Sequence, residues 1–231
     1  MLEALRSEVL EANLELVRRG LVIYTFGNAS GISREHGMVA IKPSGVPYEK
    51  MTPADIVITD LEGKIVEGSL KPSTDLATHI ALYRAFPAIG GVAHTHSRHA
   101  TAWAQARRAI PCFGTTHADY FHGPVPVTEA LSAAEIDGDY EANTGMAILR
   151  LLEGLDPLGC PAALVAGHAP FCWGKNATDA AHTAVIVEEL AAMAWQTLTI
   201  NPQAKPISDA LHNKHYFRKH GPTATYGQKK L

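Results

Sequence analysis

The sequence predicts a single α/β domain whose central sheet is mixed or mostly antiparallel and lies between layers of helices. Strand-like runs, hairpin signals and helical patterns follow one another without the regular strand–helix–strand order of a parallel sheet. The chain has 231 residues, which is the size of one large domain, and it has no internal repeat, linker or low-complexity segment. Residues 1–231 are therefore expected to form one domain.

Periodicity and capping signals place the helices. They are expected at residues 2–19, from Ser73 or Thr74 to just before Pro87, and at 98–108, 145–154, 177–200 and 207–219. A Ser132-Ala-Ala-Glu135 pattern also indicates a capping box. Strand-like runs are expected at 21–26, 39–42, 56–60, 64–67, 92–96 and 162–166. Leu61-Glu62-Gly63 is the expected turn of a hairpin.

Composition excludes several classes of function. The net charge is −3 with acidic and basic residues intermixed, whereas nucleic-acid binders usually carry a basic stripe. No apolar run approaches the ~20 residues that span a bilayer, and the N-terminus is an amphipathic, acid-containing helix rather than a signal peptide. The three cysteines form no CxxC motif. We therefore expect a cytoplasmic protein that binds neither nucleic acid nor membrane.

A pair of histidines on an expected strand indicates a metal site. His94 and His96 stand two positions apart, so on a strand their side chains share one face. Such a pair commonly supplies two imidazoles to a transition metal, usually zinc. His168 follows another expected strand and is a candidate third ligand. The alternative is that these imidazoles only bond to backbone carbonyls. Asp75 is expected at a helix N-terminus, as a fourth ligand, an orienting group or a helix charge.

Three loops have the residue types that bind phosphate. Lys42 and Ser44-Gly45 offer an ammonium, a hydroxyl and an open backbone amide at a strand end. Ser73-Thr74 begins a helix, where free N–H groups favour an anion, and Gly27-Asn28 allows close approach of the backbone. Each loop alone is also explained as an ordinary turn or cap. Together they indicate a small phosphorylated ligand, and the absence of Walker A and Rossmann motifs argues against a nucleotide.

Longer segments resemble the epimerase branch of the class II, metal-dependent aldolase family. The resemblance extends over nearly the whole chain, from the first helix to the C-terminal tail. Its most specific pieces are GNASGI, IKPSGVPYEKMTPADIV, KPSTDLATHIALYRAFPAIGGVAHTHSRHAT, GTTHADYFHG and FCWGKN. It implies a class II aldolase-like fold, a single α/β domain with a mostly antiparallel sheet between helical layers. It also implies a cyclic homotetramer with active sites shared between subunits.

The resemblance implies a role for each candidate site residue. The metal ligands would be His94, His96 and His168, with Asp75 at or beside the ion, which is most simply Zn²⁺ although Mn²⁺, Co²⁺ or Ni²⁺ would also fit. The implied substrate contacts are Gly27, Asn28, Lys42, Ser44, Gly45, Ser73, Thr74 and Arg218. The implied acid and base are Asp119 and Tyr226, with His215 nearby and Tyr226 serving a neighbouring subunit. Thr74 and Gly167 depart from the usual family residues.

The activity that the resemblance implies is inversion of C4 between L-ribulose 5-phosphate and D-xylulose 5-phosphate. No carbonyl adjoins C4, so the C3–C4 bond would be broken and re-formed through a metal-stabilised enediolate. An L-fuculose-1-phosphate-type aldolase is the nearest alternative, although such aldolases typically carry glutamate where Asp75 stands. A zinc hydrolase and a purely structural metal module are alternatives of other classes. The sugar pathway upstream, from arabinose, ascorbate or another source, stays open.

Overall fold

A seven-stranded antiparallel sheet forms the centre of the chain in the computed structural model, which describes residues 2–221, 224 and 225. The strands are β1 Asn28–Ser33, β2 Met38–Ile41, β3 Val57–Asp60, β4 Ile65–Glu67, β5 Gly91–His94, β6 Ala162–Leu164 and β7 Pro170–Gly174. Their spatial order is β4-β3-β2-β1-β5-β7-β6, and every adjacent pair is antiparallel. The predicted fold class is confirmed.

Helices cover both faces of this sheet. They are α1 Glu3–Arg18, α2 Leu76–Ala85, α3 Arg98–Gln105, α4 Thr115–Ala118, α5 Ala133–Asp137, α6 Tyr140–Leu151, α7 Ala177–Ile200 and α8 Asp209–Lys219. Two short 3-10 turns lie at Tyr48–Lys50 and Pro53–Asp55. In the part of the chain that the structure describes, no helix combines the length and the apolar character needed to cross a membrane.

Alternation of side chains along the strands divides the interior into two cores. In β2, Ala40 packs into a core that contains residues of α1, α3 and α7, while Val39 and Ile41 pack into a second core with residues of α2 and α6. Successive side chains of a strand point to opposite faces, so both faces of the sheet are buried under helices except at the exposed edge strand β4. The sheet is thereby fixed from both sides, and only its ends and loops remain open for a site.

The prediction of a strand at residues 21–26 is wrong. Leu21 is buried, but Ile23, Tyr24 and Phe26 are largely exposed, and Tyr24 has a φ of +55° in a tight turn. The strand of this region is β1, whose sequence NASGIS has little intrinsic strand character. It forms because it is buried between β2 and β5 and hydrogen-bonded to both, so tertiary pairing overrides propensity.

Smaller differences concern the ends of elements and one strand that was not expected. The expected strand at 92–96 ends at His94, so His96 lies beyond it in the connection to α3. The helix expected at 145–154 begins earlier and is α6. Strand β7 has no counterpart among the expected strands, because its burial on both faces removes the alternating pattern. The capping box at Ser132 and Glu135 and the long α7 at 177–200 are confirmed.

Helix α7 approaches the sheet so closely that one strand position requires glycine. A Cβ at Gly91 would lie 2.2 Å from the carbonyl oxygen of Asn176 and 2.5 Å from Cα of Ala177. Real Cβ atoms do not approach backbone atoms that closely, and the backbone on both sides is fixed by pairing and by helix formation. The absence of a side chain at Gly91 therefore lets α7 lie directly on β5.

We expect Gly91→Ala to lower the free energy of unfolding by about 1–3 kcal/mol or more, because overpacking forces backbone shifts. Thermal unfolding followed by circular dichroism measures this. Gly114→Ala is the matched control, since a Cβ there meets nothing within 4 Å and Gly114 has no left-handed φ. Equal melting temperatures for the two variants would contradict the close contact of α7 with β5.

Candidate metal centre and substrate cleft

Three histidines meet where β5 and β7 lie side by side. His94 is the last residue of β5 and pairs with Asn28 of β1 on one side and Phe171 of β7 on the other. His168 lies in the turn between β6 and β7, where its N–H donates to the Val165 carbonyl at 2.9 Å. One ligand nitrogen from each of His94, His96 and His168 lies within 4.8 Å of the others. The predicted grouping of these histidines is therefore observed.

The hydrogen bonds of the His94 and His168 rings determine which nitrogen of each ring faces the centre of the histidine cluster. His94 Nδ1 lies 2.9 Å from the carbonyl oxygen of Pro170, which can only accept, so Nδ1 carries the proton and Nε2 keeps its lone pair. His168 Nδ1 lies 3.2 Å from the Tyr140 hydroxyl. His168 Nε2 and His96 Nε2 face each other at 3.2 Å. Converging nitrogen lone pairs are the donor set of a divalent transition metal, and the three residues fit such an ion.

Burial keeps these imidazoles in the neutral form that binds metals. It lowers the pKa of His94 to about 3, and it also lowers the pKa of His96 and that of His168. A neutral imidazole has a lone pair to offer, so protons do not compete for the site at neutral pH. Exposure to solvent differs among the three: His94 is buried, His168 is half-buried and His96 is exposed. The side of the centre at His96 is therefore open to solvent.

Asp75 lines the same cleft as the three histidines. Its Oδ2 accepts a hydrogen bond of 2.6 Å from Asn28 Nδ2, which also donates to Ser73 Oγ at 3.0 Å. Burial disfavours the charged carboxylate, but the His94 and His79 imidazoles and the Asn28 bond outweigh it and lower the pKa of Asp75. Among the described residues, the mutually close ligand group consists of the three histidines. Direct ligation by Asp75 stays a prediction.

A cleft of about 450 Å³ opens over the histidines. Seven predicted substrate-contact residues line it, together with Asp75 and the three histidines. These seven are Gly27, Asn28, Lys42, Ser44, Gly45, Ser73 and Thr74. The two loops that carry the serines are joined through their backbones, since Ser44 N–H donates to the Lys71 carbonyl at 2.9 Å and Ser73 N–H to the Lys42 carbonyl at 3.0 Å. Residues that are distant in sequence thus form one polar wall.

Lys42 brings a buried positive charge to this wall. Only 2% of the residue is exposed, and its ammonium donates to the carbonyl oxygens of Thr25 and Pro43, both at 3.2 Å. Nζ also lies 4.7 Å from the centre of the Tyr48 ring. Burial lowers the pKa of Lys42 to about 8, so the ammonium form still dominates at pH 7. A buried cation beside hydroxyl groups is suited to a dianionic phosphate.

Asp119 lies in a different cluster from the histidines. It follows α4 and accepts hydrogen bonds from Arg218 at 2.9 Å and His215 at 3.1 Å, with Lys219 Nζ at 3.3 Å. Burial opposes ionisation, but these partners outweigh it and lower the pKa of Asp119. Neither Asp119 nor Arg218 is among the described residues that line the cleft of the same chain. Tyr226 lies outside the described residues.

Five residues of the cleft are not among the sequence-predicted ones, and two of them, Tyr140 and Glu141, come from a helix. They begin α6, which starts five residues before the expected start at 145, and both line the cleft. The Glu141 carbonyl accepts a hydrogen bond of 2.6 Å from Thr78 Oγ1, which ties α6 to α2. The Asp139 side chain accepts from the N–H of Ala142 at 3.1 Å and caps the helix. That Asp, three residues ahead of Ala142, is the signal that could have located this helix start.

Residues 7–195 match the family model described as Class II Aldolase and Adducin N-terminal domain. The chain belongs to the class II aldolase family. Similar proteins from Salmonella paratyphi C and Salmonella typhi, both called L-ribulose-5-phosphate 4-epimerase UlaF, are 56% identical over 228 residues, covering 99% of this chain and 100% of theirs. Class II aldolases are metal-dependent, and the His94, His96 and His168 cluster is consistent with that dependence.

Solved structures of class II aldolases share the fold. An L-fuculose 1-phosphate aldolase aligns with a TM-score of 0.79 and 25% identity, covering 93% of this chain and 95% of that one. An L-fuculose 1-phosphate aldolase from Glaciozyma antarctica aligns with a TM-score of 0.76 at 16% identity, covering 96% and 84%. The arrangement of sheet and helices is thus that of the class II aldolases.

We expect Tyr140→Phe to weaken zinc binding about tenfold, because removing a hydrogen-bond partner of a ligand histidine typically costs 10- to 100-fold in affinity. Competition with a chromogenic chelator measures the affinity. Tyr24→Phe is the matched control, since Tyr24 is 84% exposed and does not line the cleft. Unchanged zinc affinity in Tyr140→Phe would show that the hydroxyl does not orient His168.

Proposed function

We propose that this chain is a metal-dependent epimerase that interconverts L-ribulose 5-phosphate and D-xylulose 5-phosphate at C4. The observation that carries the proposal is the 56% identity, over the full length of both chains, to proteins called L-ribulose-5-phosphate 4-epimerase. Residues 1–231 would act as one metal-dependent aldolase/epimerase domain. The enzyme would act in the cytoplasm, in the breakdown of pentose sugars such as arabinose.

The metal would be held by His94, His96 and His168, with Asp75 at or beside it. Three imidazole nitrogens with an open side are typical of a catalytic zinc site, although Mn²⁺, Co²⁺ and Ni²⁺ also accept nitrogen ligands. When bound, the ion would supply Lewis-acid stabilisation of negative charge that develops on the sugar. Asn28 would keep Asp75 in place through its short hydrogen bond of 2.6 Å.

The phosphate would lie against the polar wall of the cleft. Lys42 supplies the positive charge, and the hydroxyls of Ser44, Ser73 and Thr74 supply donors at the same wall. The Ser44 and Ser73 N–H groups are already bonded within the protein, so their hydroxyls rather than these amides would meet the ligand, and Ser73 Oγ also accepts from Asn28 Nδ2 at 3.0 Å. A fragment held by its phosphate can rotate without leaving. Such retention separates an epimerase from an aldolase, which releases its products.

Breaking the C3–C4 bond requires a base for the C4 hydroxyl, and re-forming it from the opposite face requires an acid. We assign these roles to Asp119 and Tyr226, with Arg218 and His215 holding Asp119 ionised. Asp119 lies outside the cleft of its own chain, which supports a site completed by a neighbouring subunit. A cyclic homotetramer would bring Asp119, Arg218 and Tyr226 of one chain to the cleft of the next.

Metal-loaded protein incubated with L-ribulose 5-phosphate tests the function, with the sugar phosphates followed by NMR. We expect D-xylulose 5-phosphate to appear, to be abolished by a chelator and to return with Zn²⁺ or Mn²⁺. Free dihydroxyacetone and glycolaldehyde phosphate would instead indicate an aldolase like the structurally similar L-fuculose 1-phosphate aldolase. Release of inorganic phosphate would indicate a hydrolase, and no reaction would exclude this substrate.

We expect Asp119→Asn to lower kcat about 10²- to 10⁴-fold, which is the usual contribution of a general acid or base. Zinc affinity should not change, because Asp119 does not contact the histidine cluster. Asp137→Asn, at an exposed position of α5, is the control for loss of a carboxylate. Full activity in Asp119→Asn would remove this residue from the reaction.

Mixing two inactive variants separates a shared site from a site within one chain. Asp119→Asn subunits keep the histidines, and His94→Ala subunits keep Asp119. If neighbouring chains share a site, mixed oligomers contain some sites with both residues intact, so activity should return on mixing. No recovery after subunit exchange, confirmed by mass spectrometry of the oligomers, would place both residues in one chain.

A further inference from the structure

His96 is held differently from the other two histidines of the metal centre. Nδ1 of His94 bonds to the Pro170 carbonyl, and Nδ1 of His168 lies at the Tyr140 hydroxyl. For His96, the described residues provide no hydrogen-bond partner at Nδ1. The residue is also exposed and lies beyond the end of β5. Apart from contacts with neighbouring rings such as that of Phe26, its position therefore depends on the backbone on either side, with His94 before it and the start of α3 after it.

Glu188 of α7 holds the start of α3. One carboxylate oxygen accepts from the N–H of His99 at 2.9 Å and lies 2.8 Å from Nδ1 of the same residue. The other oxygen accepts from the N–H of Ala100 at 2.9 Å. Ser97 occupies the N-cap position of α3 but makes no side-chain cap. A carboxylate from another helix thus replaces the usual local cap.

The electrostatics favour a charged carboxylate at this place. Glu188 is buried, which disfavours its ionised form, but the N–H groups of Ala100 and His99 outweigh burial and lower its pKa. The N-terminus of a helix also stabilises negative charge. Helix α7 lies directly on Gly91 of β5, and its Ala191 carbonyl accepts from Trp103 Nε1 of α3 at 3.0 Å, which also joins the two helices further along. Glu188 therefore connects a rigid support to the segment that follows His96.

We propose that Glu188 is a positioning residue of the metal centre, which fixes the backbone after His96 and so holds the His96 imidazole opposite His94 and His168. The inference rests on the metal site of the proposed function. Glu188 touches neither the cleft nor the ligand nitrogens, so it acts only through the first turn of α3. Loss of its hydrogen bonds would let that turn and His96 move away from the other two ligands.

Cobalt binding to Glu188→Gln tests this, because the amide has one acceptor oxygen where the carboxylate has two. We expect the dissociation constant for Co²⁺ to rise about tenfold, as for other groups that support metal ligands. The visible absorption of bound Co²⁺ should also change, since it reports the geometry of the ligands. Zinc affinity measured by chelator competition should fall in parallel.

Glu8→Gln is the matched control. Glu8 of α1 also accepts from N–H groups at a helix start, those of Ala177 at 2.9 Å and Thr178 at 3.4 Å in α7, but through one oxygen and beside the local cap Asn176. No predicted metal ligand directly precedes that turn. We expect this variant, whose amide keeps one acceptor oxygen, to hold its Co²⁺ affinity and spectrum at the wild-type values. Glu188→Gln with a loss of thermal stability but wild-type Co²⁺ affinity and spectrum would overturn the proposal.

If Glu188→Gln does not fold, the same measurements are made on Glu188→Asp. The shorter side chain keeps both acceptors and the charge but withdraws them by one methylene group. At least a threefold loss of Co²⁺ affinity supports the positioning role, and wild-type affinity with an unchanged spectrum overturns it. If the wild-type chain binds no Co²⁺ or Zn²⁺, the proposed function itself fails. That result differs from a metal-binding chain that is indifferent to Glu188.

Discussion

The antiparallel pairing of β5 with β1 on one side and β7 on the other determines where everything in the site lies. Its register places His94 between Asn28 and Phe171. The turn that leads into β7 therefore delivers His168 to the same edge, and the start of β1 delivers the Asn28 amide to Asp75. A shift of this register by one residue would point the His94 side chain to the opposite face of the sheet. His94 would then be separated from its present neighbours in the site.

The site has a dry side, which is apolar and buried, and a polar side. The first suits metal binding, and the second suits phosphate binding. On the dry side, buried His94 stacks on Phe171 with ring centres 4.1 Å apart, and burial keeps the imidazole neutral. On the polar side, Lys42 and the serine hydroxyls gather charge and donors around open space. Neutral donors thus lie where a cation would bind, and a positive charge lies where an anion would bind.

Short-range signals predict most of the site, and long-range contacts explain the rest. His94, His96 and the loops at Ser44 and Ser73 carry recognisable chemistry at short spacing, so the sequence alone indicates them. The role of Glu188 depends on a contact with a backbone 88 residues away, which no local pattern encodes. The β1 sequence is misleading for the same reason, because only its two neighbouring strands make it a strand.

Helix α7 also sets a fixed distance between two of its contacts with the rest of the chain. It is seated on the sheet near Ala177 and delivers the Glu188 carboxylate to α3 eleven positions later, which is about three turns of an α-helix. Inserting or deleting one residue between these points would rotate the carboxylate by about 100° and turn it away from α3. This stretch should therefore accept substitutions on its exposed face but no change in length, unlike the loops around it.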